Sequence, residues 1–98
     1  MHIVWEFHPK PERVEEFERI YGADGDWATL FRMSPHYRQT ILTRDLNVPG
    51  RYLLTDIWED RASFNDFKRN FQQEYDRLDS ICESLTLQET RIGEFETI

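Results

Sequence analysis

The chain has 98 residues, 39% of them hydrophobic, 14% aromatic and 32% charged, with a net charge of -7 and a mean hydropathy of -0.73. That length supports one core and one domain over residues 1–98; the aromatic content excludes a disordered chain, and the lack of a long apolar run excludes a membrane span. The acidic balance argues against nucleic acid and anionic membranes as partners, the single cysteine, Cys82, excludes an internal disulfide and a cysteine-built zinc site, and with no basic-then-apolar leader the expected compartment is cytoplasmic.

Residues 2–8 predict the first strand, in which Ile3, Trp5 and Phe7 alternate with His2, Val4 and Glu6. Pro9 and Pro11 close it. Pro11 also suits the start of a helix over 11–21, because a first-turn N–H has no partner to lose. Val14, Phe17, Ile20 and Tyr21 share one face of that helix, and Gly22 ends it. Asp26 is placed to cap a short second helix over 27–33, which Ser34-Pro35 breaks. Residues 37–46 and 51–58 read as strands joined through Asn47-Val48-Pro49-Gly50, an antiparallel hairpin. Asp60 then caps a long helix over 61–82. Its apolar stripe, Phe64, Phe67, Phe71, Tyr75, Leu78 and Cys82, steps by three and four without interruption. Residues 85–95 supply the last strand.

The order β-α-β-β-α-β predicts an α+β, ferredoxin-like fold: a four-stranded antiparallel sheet with two main helices on one face. The other face should be polar if it meets water. Instead the hairpin is apolar on both parities, with Tyr52, Leu54 and Trp58 against Leu53 and Ile57, and Ile41 against Leu42. A second copy of the chain is the simplest cover. The expected partner is therefore a homodimer, two sheets face to face in a dimeric α/β barrel.

The strand Arg51-Tyr52-Leu53-Leu54-Thr55-Asp56-Ile57-Trp58, its short turn and the helix from Phe64 to Phe71 resemble the antibiotic biosynthesis monooxygenase domain of the dimeric α/β-barrel proteins. The resemblance implies a pocket between sheet and helices and oxygenation of aromatic or quinol-like molecules without metal or flavin, so no cofactor is expected. Other members of that family bind and degrade haem, with an Asn on the first strand and a Trp and a ligating His in the long helix. Here those positions hold Phe7 and Phe67, and no His follows His36. The departure argues against haem degradation.

Flat aromatic ligands occupy apolar clefts with a few polar groups. Trp5, Phe7, Phe31, Trp58, Phe67 and Phe71 are the candidate substrate-binding residues, and Tyr75, Tyr37 and His36 the candidate catalytic donors. A buried phenol needs a partner for its O–H, and a ligand can be that partner. His2, His8 and His36 have no metal-ligand spacing, so no metal site is expected, and no nucleophile elbow or phosphate loop occurs. Arg38, Arg44 and Asp56 read as an ion-pair network across the dimer, since buried charges must be paired. Two functions follow: a cofactor-independent monooxygenase acting on a small aromatic or quinol-like molecule, or a non-catalytic dimeric α/β barrel, ligand-binding or stress-related, whose pocket holds a metabolite or nothing; a small aromatic ligand is the expected small-molecule partner.

Overall fold

The computed structural model describes all of residues 1–98. Strands β1 (His2–Pro9), β2 (Tyr37–Arg44), β3 (Tyr52–Trp58) and β4 (Thr86–Phe95) form one antiparallel sheet in the order β2-β3-β1-β4. Four helices, α1 (Val14–Tyr21), α2 (Asp26–Phe31), α3 (Arg61–Asn70) and α4 (Gln72–Cys82), fill the crossovers. This is the ferredoxin-like arrangement expected from the order of elements. No helix is long and apolar enough to cross a membrane.

One core joins the layers. Ile3 and Phe7 of β1 and Tyr52, Leu54 and Trp58 of β3 point to the helices, where they meet Phe17, Ile20 and Tyr21 of α1. Trp27 and Phe31 of α2 and Phe67 of α3 extend it. The rings prefer tilted and edge contacts: Phe31 with Phe67 at 5.4 Å and 81°, Phe31 with Trp58 at 5.4 Å and 68°. Trp58 and Phe17 are fully buried, and truncating such a ring costs about 3–5 kcal/mol. Gly25 is required by proximity, since a Cβ there would lie 2.3 Å from the Ile20 carbonyl oxygen.

Several local expectations are corrected. The segment Pro11–Arg13 is a single 3-10 turn, and the α-helix begins at Val14. Asp26 lies inside α2 and Gly25 is its N-cap, without a side-chain cap. β2 stops at Arg44 because Asp45 Oδ1 accepts the N–H groups of Asn47 (2.7 Å) and Val48 (3.0 Å), which turns the chain two residues early. Asp60 does cap α3, accepting from the Ser63 N–H at 2.8 Å. The long helix, however, breaks at Phe71, where φ is -123° and ψ 31°. A straight helix over 61–82 would run about 33 Å, against about 23 Å for the seven residues of β3. Two bonds of the ladder persist at the bend, Phe71 N–H donating to Phe67 and Tyr75 N–H to Phe71, both at 2.9 Å. It turns α4 onto α2, where Tyr75 meets Trp27 edge-on at 5.0 Å.

The far face of the sheet carries no helix. Val4, Ile41, Leu53 and Ile57 lie there beside Glu6, Thr43 and Thr55, and Ile41 and Leu53 keep 41% and 43% of their surface exposed. The two-sided apolarity of the hairpin is thus real.

Candidate functional site

A cleft of about 820 Å³ opens on the helix side of the sheet, a size suited to a small organic molecule. Its floor is Ile3, Trp5, Phe7, Leu54 and Asp56, and Tyr21, Trp27 and Phe31 close its back. Phe64, Lys68 and Tyr75 form the wall from α3 and α4; Glu89, Arg91 and Glu94 form the wall from β4. The cleft exists because β4 buries nothing: none of its ten residues is in the core, so no apolar side chain fills the space above the β1–β4 edge.

Asp56 is the one carboxylate on the floor. Strand parity puts it with Tyr52, Leu54 and Trp58 facing the helices, and it keeps only 6% of its surface. A bulge between Tyr37 and Gln39 shifts β2 so that Tyr37 and Thr40 both face inward while Arg38 points out. Thr40, paired directly with Asp56, donates its hydroxyl to Oδ1 at 2.7 Å. Thr40 has one hydroxyl proton, so the Tyr37 O–H must donate to Thr40 Oγ1, also at 2.7 Å. No protein group binds Asp56 Oδ2. Burial pushes the carboxyl up to about 6, partly opposed by the Thr40 hydrogen bond. Asp56 faces the helices, away from the open sheet face, and pairs with neither Arg38 nor Arg44 within the chain. Arg38 reaches Glu59 at 3.4 Å on the surface, and Arg44 pairs with no carboxylate.

Tyr75 stands on the α4 wall with its ring between Trp27 and Lys68, whose Nζ lies 4.6 Å from the ring centre. Its hydroxyl makes no hydrogen bond within the chain, and burial, then Asp79, pushes the phenol up to about 12. A phenol tied to a protein partner contributes about 0.5–1.5 kcal/mol. Tyr75→Phe is therefore expected to change the unfolding free energy by less than about 0.5 kcal/mol, as read by urea denaturation. A larger loss would mean that the hydroxyl has a partner in the folded chain.

Of the residues singled out in the sequence, the structure brings Trp5, Phe7, Phe31 and Tyr75 to the cleft. Tyr37 stands behind it, connected through Thr40 to Asp56. Trp58 and Phe67 are core residues at 1% and 2% exposure and do not line the cleft. Phe71 stacks on Phe67 at 5.1 Å and faces the outer groove between α2 and α4, because the helix bends at that residue. His36 is exposed, with Nδ1 2.8 Å from Glu59 Oε2. Asp56, Lys68, Arg61, Arg91, Tyr21 and Trp27 line the cleft without having been assigned to it. Asp56 carried a signal: a carboxylate on the parity of Leu54 and Trp58, with no basic residue on that parity of its strand.

Comparison with known proteins agrees with this architecture. PA3566 from Pseudomonas aeruginosa superposes with a TM-score of 0.68 at 15% identity, over 99% of this chain and 93% of its own. SnoaB, a cofactor-independent oxygenase from Streptomyces nogalater, superposes at 0.65 and 18% identity, over 99% of this chain and 94% of its own. At such identities these likenesses show the fold alone. No curated protein matches by sequence. The sequence model of the antibiotic biosynthesis monooxygenase family matches residues 1–74, a span that holds the β1 and β3 floor, Asp56 and all of α3. The chain belongs to the antibiotic biosynthesis monooxygenase family.

Proposed function

We propose that this chain is a cofactor-independent monooxygenase that oxidises a small hydroxylated aromatic, quinol-like molecule in the cleft above Asp56. The observation that carries the reading is a buried carboxylate with one unpartnered oxygen on the floor of an aromatic cleft. Likeness in fold to SnoaB, itself a cofactor-independent oxygenase, supports it. A carboxyl held near 6 accepts a proton at neutral pH and is a stronger base than a free aspartate. Asp56 Oδ2 takes the hydroxyl proton of the substrate and leaves an electron-rich aryloxide between Trp5, Phe31 and Tyr75. Dioxygen bonds to a ring carbon of that anion, which supplies the electrons, and Asp56 returns the proton to form a hydroperoxide. Loss of water breaks the O–O bond and removes the hydrogen from that carbon, leaving a quinone. One oxygen atom ends in the product and one in water, and the substrate is the only reductant. Thr40, itself held by the Tyr37 hydroxyl, holds Oδ1, so that Oδ2 is left for the substrate.

The test is oxygen uptake by chelator-treated protein with naphthols and anthrones, followed together with quinone absorbance. One quinone per dioxygen is expected. Hydroxyarenes that bind without oxygen uptake would refute the reaction while leaving the cleft as a binding site.

The active unit in this reading is a homodimer, with two open sheet faces joined through Val4, Ile41, Leu53 and Ile57. That pairing removes the exposed apolar hairpin face from water and leaves both clefts on the outer, helical sides.

A further inference from the structure

The cations of the cleft are not equivalent. Arg61 Nε lies 3.3 Å from Glu94 Oε1, and Arg91 Nη2 lies 3.8 Å from Oε2 of the same carboxylate. Lys68 is half-buried, pairs with no carboxylate and donates no hydrogen bond within the chain; only the Tyr75 ring holds it. A ring face orients an ammonium but leaves its N–H donors unused. The Tyr75 hydroxyl beside it is also without a partner. At Lys68 and Tyr75 this wall therefore presents two kinds of unused donor, with the Asp79 carboxylate one turn farther along α4, while Asp56 on the floor presents an acceptor. Asp79 lies one turn beyond Tyr75 and Lys68 two turns before it, so the cleft is basic toward α3 and acidic toward α4 and Glu89.

We propose that Lys68, with the Tyr75 hydroxyl, receives an anionic substituent of the substrate, so that the molecule this cleft takes is a hydroxyaryl carboxylate: its hydroxyl on Asp56 and its carboxylate on Lys68. This rests on the reading of the cleft as a substrate site. A hydrogen bond to a paired charge exceeds one between neutral groups, and the ammonium is already partly stripped of water. The neutral ester of the same ligand cannot recover that term. The reversed orientation would set the carboxylate against the Asp56 carboxylate, which disfavours it.

Isothermal titration with three matched probes tests this: a hydroxynaphthoate with its hydroxyl and carboxylate on opposite rings, its methyl ester, and the parent naphthol. The hydroxynaphthoate should bind about tenfold or more tightly than the ester and the naphthol, a charge-assisted gain. Lys68→Met, which keeps the apolar stem, should erase that preference, so that acid and ester bind alike. Lys68→Arg should restore it. Equal binding of acid and ester, or a preference that survives in Lys68→Met, would overturn the Lys68 assignment while the cleft stands as a site. Failure of all three probes to bind would overturn the cleft reading, and this inference with it.

Discussion

Asp56→Asn should abolish turnover and make the protein more stable. Loss of a positioned general base removes about 10²–10⁴-fold in rate. The stability change has the opposite sign because the folded chain raises the Asp56 carboxyl from 3.8 to about 6. The folded state then binds more protons than the unfolded one between those values, and stability falls as pH rises through that interval. A shift of about two pKa units corresponds to about 3 kcal/mol at neutral pH, and the desolvation of an amide takes back part of it. A gain of about 1–3 kcal/mol in Asp56→Asn is expected from urea denaturation at pH 7, and little gain below pH 4. For the unsubstituted protein, kcat/KM should rise with pH around 6, where the decline in stability that begins near 3.8 levels off. A variant that keeps its activity, or a wild-type rate that falls as pH rises through 6, would remove Asp56 from the chemistry.

The second large effect concerns the open sheet face. Sedimentation at micromolar concentration should give twice the 11.9 kDa mass of the chain. Leu53→Asp should give the monomer mass, because a carboxylate without a cation buried in a sheet-to-sheet interface costs several kcal/mol. Leu53 is 43% exposed in the single chain, so the substitution burdens the interface rather than the subunit core. Leu53→Asp should therefore keep its circular dichroism spectrum while losing half its mass. A wild-type monomer at that concentration would end the barrel reading.

The order of elements was legible because punctuation and periodicity agreed. Gly22, Ser34-Pro35 and Pro49-Gly50 fall between elements, and Ile3, Trp5 and Phe7 mark the inward parity of β1. The bend at Phe71 was not legible, since Asn70-Phe71-Gln72 contains neither glycine nor proline and the apolar stripe continues across it. The site was legible in its aromatic part and obscured in its polar part. Parity puts Trp5 and Phe7 on the helix-facing side of β1, where they line the cleft, but the Thr40 and Tyr37 partners of Asp56 depend on a bulge in β2 that no residue pattern announces. Lys68 escaped notice because a lysine on a helix reads as solvated unless its neighbour seven residues on is known to offer a ring face. Phe67 and Phe71 shared a stripe with Tyr75 in sequence, yet bending sends the three to core, outer groove and cleft.

The division of labour between the strands has an evolutionary consequence. Selection for folding acts on β1 and β3, whose inward side chains make the core. It acts weakly on the side chains of β4, none of which is in the core, although that strand builds one wall of the cleft with Glu89, Arg91 and Glu94. Substitutions in that wall can accumulate at little thermodynamic penalty, typically within about 0.5 kcal/mol for surface positions. The range of ligands such a cleft admits can therefore drift while Asp56 and the scaffold under it stay fixed. The last strand is the natural place to graft a new specificity by exchanging a short cassette of residues.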